Sequence, residues 1–118
     1  MVDGLIQTFL EEYEGAKEEL SKERYKNSTI LFSKALFAMC DVLIQTKLNK
    51  LPKSHSERFR ILEQYSKEVY EIVDEIFDKY TDSYSKPALK ETCEAIENGI
   101  KKINEIAELP AEIKAVIK

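Results

Sequence analysis

The chain has no tryptophan, a single histidine, two cysteines, three glycines and three prolines in 118 residues. Each shortage excludes something. So few glycines and prolines leave little material for the many turns of an all-β fold. One histidine rules out a histidine-rich metal site. The two cysteines, Cys40 and Cys93, form no CxxC pair and no Cys/His cluster. They read as small buried hydrophobes in a reducing compartment. No window approaches 18 uncharged apolar residues, so a membrane-spanning helix is not expected. The start, MVDGLIQTFLEEYEG, lacks the basic opening of a signal peptide, and the expected location is the cytoplasm. There is no Ser-His-Asp set, no glycine-rich phosphate loop and no zinc pattern.

What is present is helical periodicity. A chain of 118 residues is read as one domain spanning 1–118 with a self-sufficient core. From Asp3 to Leu20, apolar residues Leu5, Ile6, Phe9, Leu10, Tyr13, Ala16 and Leu20 recur at spacings of three and four. A second helix is expected from Glu23 to Leu48. Its middle, TILFSKALFAMCDVLI, is apolar on more than one side, with Lys34 and Asp41 its only charges. Such a helix is central, covered by its own chain or by a second subunit. A capping box, Ser54 to Glu57, opens a third helix that the stripe Phe59, Leu62, Tyr65, Val69, Ile72, Val73, Ile76, Phe77 and Tyr80 carries to about Tyr80. Its other face is acidic, with Glu63, Glu68, Glu71, Asp74, Glu75 and Asp78. Ser85, with Pro87 in the first turn, is the expected cap of a fourth helix whose seam is Leu89, Cys93, Ile96, Ile100, Ile103 and Ala107. Ala111 to Lys118 form a last short segment, which either caps the end of the bundle or frays. The fold class expected is all-α: an antiparallel four-helix up-and-down bundle with a short fifth C-terminal helix.

Charge is uneven. The net charge is -4, yet Lys47 to Arg60 (KLNKLPKSHSERFR) carries +4, between acidic stretches of -5 at residues 1–20 and 61–82. The overall acidic balance argues against non-specific nucleic-acid binding, so any anion-binding face is local. This basic segment holds the only histidine, His55, and two of the three arginines, Arg58 and Arg60. Histidine titrates near neutrality and can act as a general base, or meet a phosphate at a helix start. The alternative is a surface histidine in a capping motif on a solubilising loop. Arg58 and Arg60 point to different faces of a helix: one is expected to hold an anion, the other to pair with an acid such as Glu57 or Glu63. Lys50 and Lys53 extend the patch. Tyr80 and Tyr84 flank Asp82 in a loop, where exposed aromatic groups are more often functional. The other aromatics are read as core. The acidic face of the third helix is no di-metal site, because the carboxylates lie on the polar side and no Glu-x-x-His occurs. No metal and no cofactor is expected.

Four segments, in this order, resemble the HEPN domain, a small cytoplasmic helical bundle. EEYEGAKEELSKERYKNS is similar to the family's opening helix. ILFSKALFAMCDVLI is similar to its central helix, with Phe32 at an aromatic position and Ala35, Phe37 and Ala38 keeping the small-and-aromatic texture. KSHSERFRIL resembles the segment that opens helix three, and DKYTDSYSKPALKETCEAIENGIKKI the run before and along helix four. The resemblance implies one of three roles: a metal-independent ribonuclease toxin, a nucleotide-binding protein, or an accessory subunit of a small nucleotidyltransferase. The family's nuclease signature is an Arg followed by a His after four to six residues. Here the equivalent positions hold Lys79 and Tyr84, and Leu48, Asn49 and Lys50 stand at those spacings before His55. Lysine lacks the guanidinium fork and tyrosine is a poor base at neutral pH. The expectation is therefore a non-catalytic homodimer that binds a nucleotide or a nucleotidyltransferase partner. Its anion contacts would be Lys53, His55 and Arg58, with Tyr84 near the base or ribose. The alternatives are a divergent ribonuclease and a purely structural dimeric bundle.

Overall fold

The computed structural model describes residues 2–117, and among them there are six helices and no strands. They are α1 (Val2–Ser21), α2 (Tyr25–Leu48), α3 (His55–Tyr65), α4 (Lys67–Asp82), α5 (Lys90–Ile106) and α6 (Ala111–Val116). Packing is organised around α2. All residues from Ser28 to Ile44 are buried except Ile30, Leu31 and Lys34. Its long apolar middle has the length and hydropathy of a membrane span, but its side chains are consumed by the protein's own core. The cover for α2 is thus supplied within one chain.

α1 lies along α2 through Ile6, Phe9, Tyr13 and Ala16. Contacts run in opposite directions: Ser28 Oγ donates to the Ala16 carbonyl at 2.9 Å, and Tyr13 packs edge-on to Phe32 at 5.7 Å. The pair is therefore an antiparallel hairpin. Its turn is a Schellman-type cap in which the Arg24 N–H reaches the Glu19 carbonyl (2.9 Å) and the Glu23 N–H reaches Leu20 (3.0 Å). Glu23 occupies the left-handed position, φ 61°. α5 and α4 cover α2 elsewhere. The buried residues of α5 are Cys93, Ile96, Ile100 and Ile103, the inner part of the expected seam. Leu109, Ile113 and Ile117 are buried, so the last segment closes onto the core beside α1 instead of fraying. Its Lys118 end lies outside the described residues.

Two expectations about element boundaries are corrected. The third helix is two helices. Ser66 is extended (φ -151°, ψ 104°), ending α3 and capping α4, with its Oγ accepting from the Val69 N–H at 3.4 Å. A serine hydroxyl offers the backbone an alternative to helix continuity. Tyr65, just before the break, is exposed and leaves the predicted stripe. The fourth helix starts at Lys90, not after Ser85. Ser85 and Lys86 instead close a turn on the Asp82 carbonyl, and Pro87 keeps its neighbour out of helical conformation. Leu89 is the cap residue, and Thr92 Oγ1 accepts from its N–H.

Candidate ligand-binding site

The basic segment folds into a loop and the first turn of α3. Pro52 is buried and anchors the loop. Ser54 caps α3 by accepting from the Glu57 N–H at 3.1 Å. The Glu57 carboxylate reaches back to the Lys53 N–H at 2.8 Å, one residue earlier than in a standard capping box. This cap fixes the helical register, so His55 and Arg58 turn inward and Arg60 turns out.

Inward, Arg58 meets Asp41 of α2. Nε donates to Oδ1 at 2.7 Å and Nη2 to Oδ2 at 2.9 Å, a two-point pair in which each side chain is 12% exposed. The expected partners Glu57 and Glu63 are therefore replaced by an acid from another helix. The third contact of the guanidinium is Nη1 to His55 Nδ1, at 2.7 Å. A guanidinium can only donate, so Nδ1 accepts and the neutral imidazole carries its proton on Nε2. Burial and the Arg58 charge both lower the His55 pKa, against a smaller opposing effect of Asp41. Arg58 also lies over the Phe37 ring, 5.4 Å from its centre.

Aromatic rings enclose this group. His55 is edge-on to Phe37 (4.7 Å between centres) and to Phe77 (5.1 Å). Tyr80 packs edge-on to Phe37 at 5.4 Å, and Phe59 closes on Phe77 at 5.1 Å. Tyr84 extends the wall outward: its ring is 5.6 Å from Tyr80 and the two hydroxyls share a 2.9 Å hydrogen bond. That bond, with burial, pushes the Tyr80 phenol up to about 12. Tyr84 is 66% exposed, the most open member of the group.

The four residues singled out from the sequence thus divide. His55 and Arg58 touch, and Tyr84 joins them through Tyr80. Lys53 lines a separate groove of about 430 Å³ with Lys50 and Arg60. Tyr80, expected with Tyr84 in a loop around Asp82, lies instead in the last turns of α4, which ends at Asp82. Sequence reasoning missed Asp41, Phe37 and Phe77 as members of the cluster. For Asp41 a signal existed: an acid inside a helix that is apolar on every side needs a cationic partner. For Phe37 and Phe77 none existed, because their spacing is equally that of core residues.

Chemically, the cluster offers donors and flat surfaces but no free base. Nδ1 of His55 is occupied and Arg58 is neutralised by Asp41. Still available are His55 Nε2–H, two further N–H groups of Arg58 and the Tyr84 hydroxyl. Cys40, which is fully buried beside Asp41, has its thiol pushed up to about 12 by burial and is no nucleophile. Among the described residues no three potential metal-ligating side chains converge. No protein-family model, no characterised protein and no solved structure matches this chain.

Proposed function

We propose that the chain is a non-catalytic binding module of the HEPN type, an antiparallel four-helix up-and-down bundle closed by a short C-terminal helix. In this reading it works in the cytoplasm as a homodimer. It binds a nucleotide, or serves as the accessory subunit of a minimal nucleotidyltransferase in a two-component, toxin–antitoxin-like system. The ligand contacts are His55, Arg58 and Tyr84, with Tyr84 against the base or ribose and the open N–H groups toward phosphate.

The observation that carries the reading is the state of His55. Its Nδ1 lone pair faces Arg58 at 2.7 Å, and the remaining ring nitrogen bears the proton. A general base needs a free lone pair aimed at the proton it removes. A histidine locked in this way donates a hydrogen bond but does not start phosphodiester cleavage. Neither Lys79 nor Tyr84 supplies the missing Arg–His pair.

Calorimetric titration with nucleoside mono-, di- and triphosphates tests the binding reading. His55→Gln and Tyr84→Ala should each weaken nucleotide binding about tenfold, the effect of losing roughly 1.4 kcal/mol of contact. Unchanged affinity in both variants would remove the cluster from the site. RNA cleavage in EDTA that disappears in His55→Ala would replace the proposal with a ribonuclease. Affinity capture from the native cytoplasm tests the accessory role, which expects a stoichiometric nucleotidyltransferase.

A further inference from the structure

The basic segment contains five cations, and they do not share one role. Lys47 pairs with Glu108, and Arg58 pairs with Asp41. Lys50, Lys53 and Arg60 make no ion pair among the described residues, and all three line the groove of about 430 Å³ beside the start of α3. The rest of the lining is Leu51, Ile61, Gln64 and Glu57. Leu51 is 52% exposed, and Ile61 is half-buried against the core. The only carboxylate in the lining, Glu57, is turned onto the Lys53 backbone N–H.

An exposed leucine and three unpaired cations share one groove on a chain of net charge -4. The cations make a local positive surface, and Leu51 with Ile61 adds an apolar contact to it. One occupant suits both. We infer that this groove docks an acidic amphipathic peptide segment of a protein partner, seating an aliphatic side chain on Leu51 and Ile61 and placing flanking carboxylates at Lys50, Lys53 and Arg60. Charge complementarity selects the sign of the partner. The lining argues against nucleic acid, because no aromatic ring is present to stack a base. No residue of the His55–Arg58 cluster lines the groove, and its occupant is independent of the nucleotide-binding reading.

The test is fluorescence anisotropy with a labelled seven-residue peptide of alternating glutamate and leucine, at low ionic strength. A heptaglutamate and a single-stranded oligonucleotide serve as comparison probes. The altered side chains are at the surface, so Lys50→Glu/Arg60→Glu and Leu51→Ser should fold normally, as far-UV circular dichroism would verify. Expected are binding of the glutamate–leucine peptide, weakening by more than tenfold in the charge-reversed double variant, and weakening several-fold in Leu51→Ser. Equal binding of heptaglutamate, tighter binding of the oligonucleotide, or indifference to charge reversal would each overturn the inference.

Discussion

Asp41 is the only carboxylate on α2, and both of its oxygens face nitrogens of Arg58. Removing one member of such a pair leaves the other charge in a largely dry site, which costs more than the pair itself contributes. Asp41→Asn should therefore lower unfolding free energy by about 3 kcal/mol, read from urea denaturation. Arg58→Lys should also destabilise, because an ammonium cannot span two carboxylate oxygens and reach His55 together. An Arg58→Lys variant as stable as the parent would show that the fork geometry is unimportant. His55 makes a separate, pH-dependent prediction. Its pKa is lowered in the folded protein from the ordinary 6.5, so the unfolded chain takes up the proton first. Stability is then fully present above about 6.5 and is lost as pH falls through that value toward the lower folded one. As the only histidine, it is the only side chain with an ordinary pKa in this range. The stability difference between pH 7.5 and pH 5.5 should be smaller in His55→Gln than in the parent. A histidine NMR titration midpoint at or above 6.5 would contradict this.

At the scale of elements, one helix junction and one helix–helix contact carry visible strain or constraint. Glu23 holds the left-handed cap position between α1 and α2, a conformation that suits glycine and costs a side-chain-bearing residue about 1 kcal/mol. Glu23→Gly should raise the thermal midpoint by a few degrees, and a loss of stability would mean that the glutamate makes a compensating contact. Gly99 acts in the opposite way. It lets α5 approach α4 so closely that an added Cβ would overlap the Ile76 Cδ1 methyl and lie 3.3 Å from Ile72 Cγ2. Gly99→Ala gains helix propensity of about 1 kcal/mol but overpacks a buried contact, which costs about 1–3 kcal/mol. The net expectation is destabilisation that Ile76→Val reverses in part, since valine lacks the offending methyl. Additive effects of the two substitutions would refute the contact. Ser66 shows why junctions are harder to read than helices. Its neighbours continue the apolar stripe, and only the competition of one hydroxyl for the backbone marks the break.

For the whole molecule, the core is one cluster drawn from all six helices, within a radius of gyration of 13.3 Å. That matches the roughly 13.5 Å expected of a single compact unit of this length. Because α2 is covered inside one chain, the fold does not need a second subunit to hide it. The proposed homodimer would then join chains that are already folded: the urea midpoint should rise with protein concentration, and a midpoint constant over a hundredfold dilution would remove the dimer from the proposal. The sequence by itself determined the helical class, the central place of α2 and the inward stripes of α1, α4 and α5. These follow from apolar spacing, a local property that survives without knowledge of neighbours. It also determined the Ser54 cap, which involves residues three apart. Only the tertiary structure decided that Arg58 belongs to Asp41, that His55 is locked against Arg58 within an aromatic wall, and that Lys53 lies on another surface. The Asp41 pair and the aromatic wall join α3 to α2 and α4, and the angle and register between helices come from how whole faces pack, not from periodicity along any one of them; that packing also decides which side of the α3 start faces inward.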